Sequence, residues 1–312
     1  MYLEINEKLI ANGQGLDLIV TGSELFADIE TNYRDYEPWL AIEVNGKLVS
    51  RFAPFPGKNR INLLKGKALG KPTRVRLYRE LQAMLMEENY VTIKGLEFTG
   101  TVEKYENYDL NLEFIGDSIT SGEGTYGARE EDDWAAYIMS FSKAYPNLVS
   151  ARLNADCIVI SQGGYGVYSA WDKNKENVIP RIYEKFHRAK WSENSTDAVV
   201  INLGTNDKAV LSEEPENIRD AIVSFLETVR RNNKRAHIIW AYGMAGHDLS
   251  AIIDEAIRIY THGSGDRKVS FLELPEVTDE TLGSRSHPGP VAHEIAADLI
   301  CERIIKELNK VN

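Results

Sequence analysis

The chain has 312 residues, 43% of them hydrophobic and 27% charged. That is the balance of a soluble globular protein long enough for about two domains. Its net charge of −11 repels a phosphate backbone or an anionic bilayer surface, so neither nucleic acid nor membrane is an expected partner.

The N-terminal MYLEINEKLIANGQG has no basic region and no apolar region of a signal peptide. No run approaches the roughly 18 apolar residues of a membrane span. A cytoplasmic location follows, or a secreted one if a leader has been removed. Cys157 and Cys301 sit in the apolar segments DCIVI and DLICERI without a CxxC spacing. They read as buried free thiols rather than a disulfide or a metal site.

Residues 1–105 carry short alternating segments: LDLIV, SELFADIE, WLAIEVNG, KLVSRFA, NRINLL, TRVRLYRE and YVTIKGLEF. Turn residues separate them (NGQG, VNGK, PFPGKN, GKPT). Period-two patterning broken by regular turns predicts an antiparallel, jelly-roll-like β-sandwich. TVEKYENYDLN connects this domain to a second one over residues 106–312.

Beyond residue 108 strands and helices alternate. LNLEFI, CIVIS, AVVINL, AHIIWAY and KVSFLEL predict about five strands. Trp134, Ile138, Phe141 and Tyr145 share the helical spacing of Ile218, Ile222, Phe225 and Val229. Leu249, Ile252, Ile253, Ala256, Ile257 and Tyr260 line a third helix face. A last helix starts near Pro290 with Val291, Ile295, Leu299 and Ile300 on its apolar stripe. These stripes are expected to face a core rather than a ligand. Strands interleaved with helices predict an α/β, doubly wound parallel sheet. Ligands of such sheets bind beyond the carboxyl ends of the strands.

Following each strand past its end gathers a set of chemically capable residues. The first runs into Gly116-Asp117-Ser118, the second into QGGYGVYSAWD, the third into GTND, and TLGSRSHPGPVAHE follows the last. A Ser, a Gly-rich loop, an Asn and a His therefore meet at one sheet edge. Acyl transfer needs such a set. Ser118 would attack a carbonyl carbon, and His287 would take its proton and return it to the leaving alcohol. The oxyanion would be met by the backbone N–H of Ser118, the N–H of a glycine in the second loop, and the Asn206 side chain.

Each residue also has a structural reading. Ser118 could only cap a helix, and Asn206 could only make a turn. Asp117 and Asp207 are expected to hold loop N–H groups rather than to react. His293 is expected in the last helix, pointing elsewhere, and His187, His237, His247 and His262 as ordinary surface or core residues. No HxxxH or HExxH spacing occurs, so no zinc site is expected. Trp134 fits a core stripe, whereas Trp171 is a candidate platform for a sugar ring. Glu123 lies near the nucleophile in SGEG, within reach of a sugar hydroxyl, but is assigned no role.

GDSIT, GTND and the late HP together resemble the SGNH, or GDSL-type, hydrolases across residues 112–305. The resemblance implies Ser118 as nucleophile, His287 as base and Asn206 as oxyanion-hole donor. It implies Gly166 as the glycine donor, with Gly163 the alternative. A β-sandwich before such a domain is similar to carbohydrate esterase family two, whose members resemble acetyl xylan and glucomannan deacetylases. That likeness implies a serine esterase that removes acetyl groups from xylan or glucomannan oligosaccharides, with no metal and no organic cofactor. A lipase or thioesterase of the same fold, and a non-catalytic carbohydrate-binding protein, are the alternatives. One position departs from the pattern. Where the superfamily usually has an Asp three residues before the His, this chain has Ser284. A backbone carbonyl, the Ser284 hydroxyl or a carboxylate from elsewhere must then orient His287, and a neutral orienter implies modest activity.

Overall fold

Antiparallel and parallel sheets occupy different stretches of the chain. The computed structural model describes residues 1–66, 71–186 and 195–309; His187 lies outside them. The chain divides into one unit of Met1–Tyr108 with Trp134–Ser142, and another of Asp109–Asp133 with Lys143–Asn312.

The first unit contains β1 (Tyr2–Leu9), β2 (Gly15–Thr21), β3 (Glu24–Asn32), β4 (Leu40–Val44), β5 (Lys47–Phe52), β6 (Gly57–Lys65), β7 (Thr73–Arg79), β8 (Tyr90–Phe98) and β9 (Thr101–Lys104). They form antiparallel sheets in the orders β1-β8-β3-β6 and β5-β4-β7-β2-β9. Alternation puts Leu25, Ala27 and Ile29 of β3 into one core with Val20, Ile42, Val75 and Leu77 of the other sheet. The predicted sandwich is therefore observed. β1 and β9 were not expected. β1 is largely exposed and β9 has four residues, so neither shows a clear alternation.

Trp134–Ser142 is held in this unit by two charged side chains. The Arg51 guanidinium donates to the carbonyls of Tyr137 at 2.9 Å and Met139 at 2.6 Å. Buried Glu80 accepts from the Ser142 N–H and hydroxyl, both at 2.7 Å, and from the Ser140 hydroxyl at 3.1 Å. This corrects the helix expected along Trp134, Ile138, Phe141 and Tyr145. The segment contains only short 3-10 turns, Ala136–Ile138 and Phe141–Lys143. Pro146 has no N–H to donate to the Ser142 carbonyl, so a helix cannot run through it from upstream, and the helix begins only at Tyr145. Trp134 packs edge-on to Tyr36, and Phe141 edge-on to Tyr78.

The second unit runs β10 (Leu110–Gly116), α1 (Ser118–Ser121), α2 (Tyr145–Arg152), β11 (Ala155–Ser161), α3 (Ile179–Phe186), β12 (Ala198–Asn202), α4 (Pro215–Asn232), β13 (His237–Tyr242), α5 (Ser250–Ser264), β14 (Val269–Glu273) and α6 (Pro290–Asn309). The strands make a parallel sheet in the order β11-β10-β12-β13-β14. This is the doubly wound sheet predicted, with its switch point between β10 and its two neighbours. Gly116 pairs with both Ser161 and Asn202. The three strands thus end level, and their following loops emerge side by side.

Ile218, Ile222, Phe225 and Val229 of α4 are buried as expected. The stripe on α6 is corrected. Val291 and Ile295 point outward, while Ala292, His293, Ala296, Ala297, Ile300 and Ile304 face the core. The close approach of α6 to the sheet favours small side chains, whose weak apolar signal hides the true face. Of the thiols, Cys301 is buried and burial pushes it up to about 11, whereas Cys157 is only half-buried; neither forms a disulfide.

Candidate active site

The turn after β10 answers whether Ser118 is a cap. The cap is Asp117, whose Oδ1 accepts the Ile119 N–H at 2.9 Å. Ser118 is the first helical residue, so its own N–H lacks an intrahelical partner by construction. Its hydroxyl is free of capping duty and lies 2.8 Å from Nε2 of His287. Ser118 is 8% exposed and the His287 side chain 22%, so the pair is reachable but largely sheltered.

Nδ1 of His287 lies 2.8 Å from the backbone oxygen of Arg285. A carbonyl only accepts, so Nδ1 carries the proton and Nε2 presents its lone pair to the Ser118 hydroxyl. Among the three orienters open at the sequence level, the carbonyl occupies the position. The Ser284 hydroxyl instead donates to the Tyr126 carbonyl at 2.8 Å, and the Ser284 N–H to the Gly124 carbonyl at 3.2 Å. These bonds tie the histidine loop to the segment following α1. Gly124 has φ +84°, and a Cβ there would lie 2.5 Å from the His287 Cβ. Glycine is thus required twice over, by conformation and by space.

Glu123 stands between the two segments. Its side chain is 5% exposed, its Oε1 accepts from Arg285 Nε at 2.9 Å, and the same oxygen is 3.8 Å from His287 Nε2. Sequence reasoning noted Glu123 but gave it no work, and missed Arg285 altogether. A main-chain carbonyl is common to every residue type, so nothing in the letters points to it.

The second and third loops converge on the same place. Asn206 Nδ2 donates to the Tyr165 carbonyl at 3.0 Å and to Asp117 Oδ2 at 3.2 Å. Its amide therefore sits between the residues that precede Ser118 and Gly166. Asp207 accepts three consecutive backbone N–H groups, from Val167 at 3.0 Å, Tyr168 at 2.7 Å and Ser169 at 2.9 Å. That nest fixes the loop carrying Gly166. A Cβ on Gly166 would come within 2.2 Å of the Ser169 carbonyl oxygen and 2.4 Å of Asp207 Oδ2. Both aspartates are structural in this geometry. Burial pushes Asp117 up to about 7, helped by the Asp207 and Glu123 carboxylates and opposed by the Ile119 N–H. Burial likewise pushes Asp207 up to about 6, against the pull of its three N–H donors.

Trp171 is 70% exposed. Its ring lies against the backbone of Gly164, where a Cβ would meet its Cδ1 at 2.8 Å. An apolar face is thus presented from the loop that carries Gly166. His293 is buried within the unit on α6. His237 opens β13, His247 bonds the Leu274 carbonyl and His262 is exposed in α5. No group of three or more His, Cys, Asp or Glu able to hold a metal ion occurs among the described residues.

A hydrogen-bonded serine–histidine pair at the switch point of a doubly wound sheet is the arrangement of an acylhydrolase class of site. The chain belongs to the GDSL-like lipase/acylhydrolase family, whose sequence profile matches residues 114–295. It is similar to the structure of an acetyl xylan esterase, Est2A, from the rumen bacterium Butyrivibrio proteoclasticus. The two are 35% identical, with a TM-score of 0.92 over 98% of this chain and 95% of that one. The fold is also shared with a family two carbohydrate esterase from Clostridium thermocellum in complex with cellohexaose, 24% identical, TM-score 0.86, 99% of both chains. The cellulase/esterase CelE of Acetivibrio thermocellus is 26% identical over 95% of this chain. This chain spans only 37% of that relative's length.

Proposed function

We propose that the chain is a serine esterase that removes acetyl groups from acetylated xylan or glucomannan oligosaccharides. The observation that carries the reading is the Ser118 Oγ to His287 Nε2 contact of 2.8 Å, with Nδ1 committed to Arg285. Likeness to an acetyl xylan esterase over nearly the whole chain supports acetyl as the group and a glycan as its carrier.

In this reading His287 Nε2 accepts the hydroxyl proton as Ser118 Oγ bonds to the acetyl carbonyl carbon. The carbonyl π-pair moves onto oxygen. The oxyanion is met by the N–H groups of Ser118 and Gly166 and by Asn206 Nδ2, one hydrogen of which turns to it from Asp117 Oδ2 or the Tyr165 carbonyl. As the C=O re-forms, the sugar oxygen leaves and takes the proton from Nε2. Water then repeats the sequence on acetyl-Ser118, releasing acetate. Trp171 supplies a stacking face for a sugar ring. A neutral carbonyl stabilises the imidazolium less than a carboxylate would, so a modest turnover is expected.

The test is acetate release from a panel of acetylated xylo-, manno- and gluco-oligosaccharides. Ser118→Ala should lower the rate about 1,000-fold or more. Equal slow release by both proteins would identify a carbohydrate binder instead. Faster turnover of p-nitrophenyl octanoate than of the acetate would identify a lipase.

A further inference from the structure

The carbonyl that orients His287 belongs to a residue in a disfavoured conformation. Arg285 has φ 54° and ψ 34°, and Ser286 follows with φ 54°. Two successive non-glycine residues in the left-handed region persist only where their surroundings impose them. Arg285 is held by its N–H to the Glu131 carbonyl at 2.8 Å, Nη1 to the Asp132 carbonyl at 2.7 Å, and Nε to Glu123 Oε1 at 2.9 Å. Of these three acceptors only the last is a side chain, and only it carries charge. Glu123 is in turn tied to the nucleophile's turn, because its N–H donates to the Ser118 carbonyl at 3.0 Å.

We propose that Glu123 is a positioning residue for the reaction. Through Arg285 it locks the left-handed turn whose carbonyl fixes the tautomer and aim of His287 at Ser118. A carboxylate thus still governs the imidazole in this chain, at one remove and from the nucleophile's own segment. The inference rests on Ser118 and His287 being nucleophile and base.

The test combines kinetics on p-nitrophenyl acetate with NMR of protein carrying 15N-labelled histidine. Each variant is compared per folded molecule by circular dichroism. Glu123→Ala should lower kcat roughly 10- to 100-fold while KM moves less than about twofold, since a small misplacement of the base acts on the chemical step. Arg285→Ala should do the same, and the double variant should be no worse than the weaker single one. Glu123→Gln keeps an acceptor for Nε and should recover most of the loss. The slowly exchanging Nδ1–H signal of His287, assigned by its absence in His287→Gln, should vanish in Glu123→Ala and return in Glu123→Gln.

Unchanged kcat in Glu123→Ala, additive losses in the double variant, or Glu123→Gln as impaired as Glu123→Ala would each overturn the proposal. So would a defect confined to KM for oligosaccharides, which would make Glu123 a sugar ligand. If the wild type turns over no ester, the functional reading fails; the Nδ1–H signal then still decides whether Glu123 positions His287.

Discussion

Nδ1 of His293 accepts the backbone N–H of Tyr145 at 3.2 Å. A side chain from α6 therefore caps α2, whose own N-cap residue Ala144 offers no side-chain bond. The two rings stack at 6.1 Å. Nδ1 must be unprotonated to accept, and burial, reinforced by nearby His287, pushes His293 down to about 3.

This capping bond makes folding stability pH-dependent. Between about pH 6.5 and 3 the unfolded chain binds a proton at this site that the folded chain does not. Stability from this site therefore falls as pH falls, by up to about 1.4 kcal/mol per pH unit. Asp117 and Asp207 act with opposite sign. Their raised folded values make their contribution full below about 3.8 and lost as pH rises through about 7 and 6. The His293 term is isolated by comparison with His293→Asn, which keeps a non-titrating acceptor. Urea unfolding at pH 7, 6 and 5 should show the variant weaker at pH 7 but with a shallower acid slope. Equal slopes would show that His293 titrates normally.

Replacing Asp207 with Asn should loosen the loop that carries Gly166. Two of its N–H partners share Oδ1 and the third uses Oδ2. An amide leaves at least one buried donor facing another donor, at a cost of about 1–3 kcal/mol. Stopped-flow kinetics should show kcat falling more than KM rises.

Gly124→Ala tests the packing of His287, the proposed base. The new methyl group would press on the His287 Cβ and the Ser284 carbonyl oxygen, at 2.5 and 2.8 Å, in a backbone with φ +84°. Esterase turnover should drop by about 100-fold, with thermal melting lowered by the left-handed alanine. Full activity would mean that the loop yields freely.

Trp171→Ala tests the proposed sugar platform. Losing an aromatic face worth about 1 kcal/mol should raise KM for an acetylated xylo-oligosaccharide roughly fivefold. The effect on p-nitrophenyl acetate, which has no sugar ring, should be clearly smaller. Isothermal titration with unacetylated oligosaccharide gives an independent reading of the same contact.

Much of this architecture could be read from the letters, for identifiable reasons. The strands of the parallel sheet are covered on both faces, so AVVIN and HIIWAY stand out as unbroken apolar runs. Ser118, Asn206 and His287 stand out in the letters because each lies beyond a strand end, where ligands of such a sheet bind. What stays hidden depends on backbone or on small side chains. The first turns of the inward face of α6 carry Ala292, His293, Ala296 and Ala297, so Val291 and Ile295 drew the stripe to the wrong side. Arg285 acts through its carbonyl and an unusual φ, for which Arg carries no preference. The isolated turns of Trp134–Ser142 mimic a helical period because Trp134, Ile138 and Phe141 happen to be spaced by four and three.

That same segment bears on how such proteins can be cut and recombined. The chain passes from one unit to the other at Tyr108, returns at Trp134 and leaves again at Ser142. A single scission near residue 105 would therefore not release an autonomous hydrolase. It would carry along a ribbon bearing Ile138, Met139 and Phe141, all buried in the intact protein, and strip the ribbon of the Arg51 and Glu80 that hold it. Such a fragment is expected to aggregate. Shuffling this catalytic half between proteins requires the ribbon and its receiving surface to be inherited as a pair.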